Sequence, residues 1–376
     1  MVDTASRRRG AARRRDAARR GAAQRRDAAR RTAARIAGLV VTPLLPADYV
    51  DLVAPLRSSV QLRARVVEVR PETRDAVTLV LRPGRGWTGH VPGQYVRIGV
   101  DVDGVRRWRA YSVTSPPHPD GQIAITVKAM PDGLVSNHLL RRARPGLVLQ
   151  LDQATGDFVL PAVRPAKVLF VTAGSGITPV MSMLRHAADL ADVVLVHSAP
   201  SAADMIFGAE LRALARDGRL RLVEWHSASA GFLTAAALAA AVPDLAERET
   251  WACGPTGLLD AVEKQWADLG VGDRLHTERF RPAVVVAGDG GTVTFTTTGA
   301  TAAAAGDVPL LDVGEDAGVL MPSGCRMGIC FGCVTPLRAG AVRDLRTGEL
   351  TTAAPGDDVM VQTCVSAAAG DCALDR

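Results

Sequence analysis

Lysine is almost missing from this chain. Lys128, Lys167 and Lys264 are its only examples, against 42 arginines in 376 residues. With alanine and valine so abundant beside it, the bias points to a GC-rich genome rather than a physical need. Long apolar runs are missing too: no stretch approaches the roughly 20 residues that a membrane span needs. The basic opening is not followed by the apolar core of about 7–15 residues and the cleavage site of a secretory signal. It is followed by "IAGLVVTPLLPADYV", which is short and broken by Pro43 and Pro46. The twin arginines of "SRRRG" lack the same apolar region. A cytoplasmic chain is expected, and there clustered cysteines serve as metal ligands more often than as disulfides.

The charge is uneven. Residues 1–35 hold 13 Arg and three Asp, a net +10, which leaves −4 on the other 341 residues of a chain whose total is +6. The body is mildly acidic and does not have the charge of a nucleic-acid-binding surface. The arm alternates paired arginines with small residues, and its alanines favour helix. It has no large apolar side chain to insert into a membrane. It reads as a solvated, disordered extension, as the product of a start codon placed too far upstream, or as an electrostatic contact for anionic lipid. In the last case each arginine contributes about 1 kcal/mol, screened by salt. The length suits two to three domains of ~150 residues each.

Half of the six cysteines crowd into "PSGCRMGICFGC". Cys325, Cys330 and Cys333 are spaced C-x4-C-x2-C, and Cys364 follows 30 residues on. This is the plant-type [2Fe–2S] ligand pattern. Three thiolates must converge from one loop, so the backbone has to wrap the cluster closely; Gly324, Gly328 and Gly332 permit that. Four thiolates also suit structural zinc. Zinc sites usually pair one C-x2-C with another, and Cys364 stands alone, which favours iron–sulfur. "GTVTFTTTG" (291–299) alternates like a strand, "PLLDVGEDAGVLMPSGC" reads as a short helix feeding the loop, and "GELTTAAPGDDVMVQTCVSAAAGD" reads as ending in a strand that carries Cys364. Residues 290–376 resemble the β-grasp ferredoxin domain, an α+β fold. Cys372 lies outside the ligand set.

Upstream, residues 61–163 hold short Val/Thr runs broken by Pro and Gly, the pattern of a small antiparallel β-barrel. "RAYSVTSPP" offers a cation, an aromatic ring and a hydroxyl along one strand. Gly133 to Ser136 open a helix whose N-terminus can hold a pyrophosphate. From residue 164 the pattern changes to strand–helix alternation, which argues for a parallel α/β sheet over 164–282. "AGSGITP" joins its first strand to its first helix, with Gly174 and Gly176 allowing close approach and Pro179 early in the helix. "WACGPTG" follows much later. Residues 36–60 read as a helical lead-in.

Each motif is weak alone. In this order, R-x-Y-S, G-x-x-S, G-x-G-x-x-P and C-G-P resemble the ferredoxin–NADP reductase family. With the appended ferredoxin domain, 61–376 is similar to single-chain flavin–iron–sulfur reductases. The lead-in resembles the actinobacterial members that serve membrane acyl-CoA desaturases. The resemblance implies that Arg109 pairs with the FAD pyrophosphate, that Tyr111 stacks on the isoalloxazine and that Ser112 lies near flavin N5. It implies that Gly133, Leu134, Val135 and Ser136 offer N–H and hydroxyl donors to the pyrophosphate. Thr172, Gly174 and Gly176 would face the NADPH or NADH, and Cys253, Gly254 and Pro255 would lie by the nicotinamide. Glu278 and Phe280 match the segment that ends the reductase module. Ser112, Cys253 and Glu278 are the implied catalytic set, and Cys325, Cys330, Cys333 and Cys364 the implied cluster ligands.

The implied acceptor is a terminal oxygenase or desaturase. Alternatives are a reductase of a soluble ring-hydroxylating oxygenase or cytochrome P450, and an iron–sulfur redox sensor that binds nucleic acid through its basic arm. A full nicotinamide site would be superfluous in a sensor. NADPH-selective relatives place an arginine after the second strand of the nucleotide domain, and Pro200 stands about there, so the coenzyme stays open with a slight lean to NADPH.

Overall fold

A computed structural model describes residues 54–57, 61–131, 133–280, 286–324, 326–328 and 331–376. The basic arm and nearly all of the expected lead-in fall outside the described residues. The chain divides into two compact units, 1–61 with 84–86, and 62–83 with 87–376. In the first, Pro55–Arg57 forms a 3-10 turn, and Leu56 O accepts a bond from Arg85 N at 3.1 Å. The second unit holds three sheets.

The first sheet is antiparallel. It comprises β1 (Arg63–Thr73), β2 (Ala76–Pro83), β3 (Tyr95–Val102), β4 (Val105–Ser112), β5 (Ile123–Lys128) and β6 (Val148–Leu151), in the order β4-β3-β6-β1-β2-β5. A bridge between Val113 and Ile125 joins its two edges, as the barrel reading requires. The alternating Val, Ile and Leu of these strands turn inward, so Leu79, Leu81, Ile98, Ile125 and Leu151 are fully buried. Helix α1 (Leu134–Arg142) adds Val135 and Leu139 to this core.

The second sheet is parallel throughout: β7 (Lys167–Ala173), β8 (Asp192–Ala199), β9 (Arg221–His226), β10 (Glu249–Cys253) and β11 (Leu275–Glu278), in the order β11-β10-β7-β8-β9. Its three inner strands, β10, β7 and β8, read as near-continuous apolar runs because both faces are covered. Phe170 and Trp251 pack on one side, which α2 (Ile177–His186) and α3 (Gly208–Arg216) cover. Leu169, Val171 and Ala252 pack on the other with Trp266 of α4 (Thr256–Asp268). Two bonds from α2 tie this sheet to the barrel: Arg185 Nη1 donates to Thr114 O at 2.7 Å and Ser182 Oγ to Ser115 O at 2.8 Å.

The third sheet is mixed. It comprises β12 (Gly291–Phe295), β13 (Thr301–Ala304), β14 (Val334–Asp344), β15 (Leu350–Ala353), β16 (Val359–Gln362) and β17 (Ser366–Leu374). The order is β13-β12-β17-β14-β15, with β16 also on β14 and β12 parallel to β17. Helix α5 (Leu310–Asp316) buries Leu310, Leu311 and Val313 against it, an α+β arrangement. One expectation needs correction. Cys364 is not on a strand; it sits in the turn between β16 and β17. That turn is pinned to Cys333, whose carbonyl accepts from Thr363 Oγ1 at 2.9 Å. A strand would alternate its side chains across two faces, whereas a turn can aim one thiol into the loop opposite.

Candidate functional site

Three groups of residues lie where these sheets end. On the barrel, Arg109, Tyr111 and Ser112 follow one another at the end of β4, paired to Ile98, Val96 and Tyr95 of β3. Ser112 is buried and its Oγ has no hydrogen-bond partner. An orphaned buried hydroxyl carries a desolvation cost that a ligand can relieve. Arg109 is held inward by a 2.8 Å bond from Nη1 to Trp108 O. Burial, with the Arg326 charge nearby, lowers its pKa to about 10. It stays protonated at neutral pH and is poised for an anion. Burial raises the Tyr111 phenol, which therefore stays neutral.

Gly133 is the N-cap of α1 and makes no side-chain cap bond, so the first-turn amides of Leu134 and Val135 are left to other acceptors. A Cβ on Gly133 would fall 2.3 Å from Ser136 Oγ. The Ser136 hydroxyl is already engaged, donating to Gly133 O at 3.2 Å and accepting from Met130 N at 3.1 Å. In this structure it braces the turn that presents the amides.

On the parallel sheet, Glu278, Cys253, Thr172, His197 and Glu224 stand in one register row across all five strands. Thr172 Oγ1 and His197 Nδ1 share a 2.8 Å bond, and both residues are fully buried. Burial lowers the His197 pKa to about 4, so the ring is neutral. Its Nε2 has no partner. Burial raises Glu278 to about 8, and its Oε2 is unpartnered. Burial, with Glu278 beside it, raises the Cys253 thiol well above its ordinary value. Gly174 has φ +53°, and Gly174–Gly176 form a 3-10 turn leading into α2. A Cβ on Gly176 would lie 2.0 Å from Cys253 O, so glycine is what lets the β7 and β10 ends meet. Gly254 follows, and Pro255 is the N-cap of α4. Phe280 is part-exposed, at 37%, just before the undescribed 281–285.

In the third sheet, the buried Sγ atoms of Cys333 and Cys364 lie 3.1 Å apart. A disulfide needs about 2.05 Å, so the two sulfurs face each other without one, as ligands of a shared centre would. Cys325 and Cys330 lie outside the described residues. Gly328 has φ +73°, and its carbonyl accepts from Arg346 Nη1 and Gln362 Nε2, each at 3.1 Å. The positive charge of Arg346 lies close enough to Cys333 and Cys364 to be perturbed by them. Cys372 is buried on β17, with its thiol pushed up to about 11 by burial.

Three family models match in sequence order: an oxidoreductase FAD-binding domain over 64–160, an oxidoreductase NAD-binding domain over 170–264, and a 2Fe-2S iron-sulfur cluster binding domain over 293–369. An NADPH oxidoreductase of Mycobacterium tuberculosis is 51% identical over 350 residues, covering 91% of each chain. The chain belongs to the ferredoxin reductase-type flavin/iron–sulfur oxidoreductases. The 3-ketosteroid-9-alpha-monooxygenase ferredoxin reductase component of Mycolicibacterium smegmatis is 33% identical, over 77% of this chain and 89% of its own. The glycine betaine monooxygenase reductase subunit of Pseudomonas aeruginosa is 31% identical, over 76% and 86%. Phthalate dioxygenase reductase shares the fold, with TM-score 0.59 at 22% identity over 84% of this chain and 98% of its own.

As a reductase of this type the protein passes electrons from NAD(P)H to FAD and from FAD to a [2Fe–2S] cluster. The zinc and sensor alternatives fall with these matches. Sequence reasoning missed His197. The single polar ring in the apolar run "DVVLVHSA" was the available signal.

Proposed function

We propose that this reductase delivers electrons singly to a separate oxygen-activating iron enzyme, and that this acceptor is a membrane acyl-CoA desaturase. The observation that carries the first part is the buried Cys333–Cys364 pair, in the same compact unit as the flavin barrel and the nucleotide sheet. The relatives named as reductase components of monooxygenases support it. The arginine arm supports the membrane-bound class, since it can hold the chain at an anionic surface.

Bound FAD would exchange an electron pair with the nicotinamide and single electrons with the cluster. The chain's own groups prepare the site for that. Arg109 supplies a fixed cation, and the α1 N-terminus beside Gly133 supplies amides, for a pyrophosphate. Tyr111 gives an uncharged ring for stacking, and Ser112 Oγ an unsatisfied hydroxyl at the flavin edge. The Gly174–Gly176 turn keeps the floor open for the nicotinamide nucleotide. Thr172 and His197 hold each other in place beneath it. Cys253 excludes water from the row, and Glu278 holds a proton near neutral pH. Cys333 and Cys364, with Cys325 and Cys330 from the loop, would supply the four thiolates. Arg346, paired with Asp344 at 2.7 Å, braces the loop through Gly328 O.

The coenzyme proposed is NADPH. The relative named as an NADPH oxidoreductase supports this; against it, Pro200 follows β8 where a phosphate-binding arginine would be expected, and Ser201 Oγ is bonded to Asp204 at 2.6 Å. Comparison of kcat/KM for NADPH and NADH tests this; a strong NADH preference overturns it and makes Pro200 the reason. The acceptor is tested by adding purified reductase and NADPH to desaturase-containing membranes that lack a reductase. Restored desaturation is expected. Restored turnover only with a soluble oxygenase or P450 would replace the desaturase with that class.

A further inference from the structure

Glu315 stands where the flavin barrel meets the cluster loop. It lies on α5 with its side chain 15% exposed. Arg326 of the cluster loop pairs with it through Nη2 and with Asp312, one turn earlier, through Nη1 at 2.6 Å. From the barrel side, Arg107 Nη1 of β4 lies 3.5 Å from the same Glu315 Oε1. Arg107 and Arg109 alternate onto one face of β4, and the charges of Glu315 and Arg326 both reach Arg109. One carboxylate thus joins the strand that carries the flavin residues to the loop that carries the cluster cysteines.

The loop has a reason to need holding. Arg326, the neighbour of Cys325, has φ 60°, a left-handed conformation uncommon outside glycine. Such a backbone persists where surrounding contacts over-determine it, and here the two α5 carboxylates do so. Three guanidinium groups face two carboxylates, so removing Arg107 leaves Glu315 still paired with Arg326. The link across the domains can therefore be cut without stranding a buried charge.

We propose that Glu315 is a positioning residue that fixes the cluster loop against the flavin barrel through Arg326 and Arg107, and so sets the rate of electron transfer between the two centres. The inference rests on the electron path given above. Transfer between buried centres falls steeply with separation, so a loosened junction slows this step and no earlier one.

The test uses the full-length protein loaded with FAD and cluster, as wild type, Arg107→Met, Glu315→Gln and the double variant. Methionine keeps most of the packing of the arginine stem. Rapid mixing with NADPH separates flavin bleaching from cluster bleaching. Electron paramagnetic resonance of the reduced cluster reports its immediate surroundings, and hydrogen exchange reports on residues 105–112 and 310–328. Arg107→Met is expected to leave flavin content, flavin reduction and the resonance spectrum unchanged. It should slow cluster reduction at least tenfold and speed exchange in both segments. Glu315→Gln should slow the same step, and the double variant should be no slower than the slower single. Cluster reduction at the wild-type rate in Arg107→Met overturns the proposal, as does unchanged exchange. A slow Glu315→Gln with an altered resonance beside an unaffected Arg107→Met reduces Glu315 to a brace within the ferredoxin domain. If the wild-type cluster is not reduced by NADPH at all, the electron path fails first and this proposal falls with it.

Discussion

Glu278 and Cys253 are register partners at the carboxyl ends of neighbouring parallel strands, and burial keeps both protonated at neutral pH. For the carboxyl this couples stability to pH. An unfolded glutamate titrates near about 4.3, while the folded one titrates near about 8. Between those values the native state holds a proton that the unfolded chain has lost. Stability is therefore fully present below the unfolded value and falls as pH rises through the folded one, by at most about 1.4 kcal/mol per unit. Buried His197, lowered to about 4, gives an opposite slope below the unfolded histidine value of about 6.5, so urea unfolding should show this fall between roughly pH 6.5 and pH 8, and Glu278→Gln should flatten it. An equal slope in the variant would assign the dependence to another group.

Cys364→Ser should remove the [2Fe–2S] absorbance and leave the flavin bound. Arg109, Tyr111 and Ser112 belong to β4 of the barrel, a different sheet from the one that holds the β16–β17 turn. NADPH-dependent ferricyanide reduction should survive while most cytochrome c reduction is lost. Equal loss of both activities would contradict a cluster downstream of the flavin.

Gly176→Ala places a methyl group against Cys253 O, at 2.0 Å before any relaxation. The ends of β7 and β10 must part, and overpacking of this kind costs about 1–3 kcal/mol. Flavin content should be normal, because the barrel is untouched. The KM for NADPH should rise by about tenfold or more, since small displacements at a binding site are costly. Steady-state kinetics with ferricyanide check this, and an unchanged KM would mean that the nucleotide does not approach this turn.

Deleting residues 1–35 should abolish binding to anionic vesicles at low salt and leave NADPH-dependent dye reduction unchanged. The full chain should release from the vesicles as salt is raised, because attraction at a lipid surface extends only about a Debye length. Vesicle binding by the truncated protein equal to that of the full chain would show that the arm is not the tether.

Much of this was legible before any coordinates. The change from short Val/Thr strands to strand–helix alternation near residue 164 located the step from antiparallel to parallel sheet, because the two sheet types bury their faces differently. The cysteine spacing announced the cluster, and Gly133 was placed correctly at a helix start. The misses share one cause: they depend on partners distant in the chain. Cys364 was assigned to a strand because the residues around it are apolar, yet the bond from Thr363 to Cys333 O holds it in a turn. His197 gained meaning once β7 lay beside β8. The Arg107–Glu315–Arg326 link joins residues from two domains, and no local pattern marks it.

Strand β17 runs between β12 and β14, in the middle of the third sheet. During synthesis β12 and β14 therefore leave the ribosome with the place between them unfilled until residues 366–374 follow. The barrel and the nucleotide sheet are complete by Glu278. A nascent chain can thus finish the half that takes electrons from coenzyme well before the half that hands them on. A chain stopped between residues 278 and 366 would hold both completed sheets and no β17 to close the third.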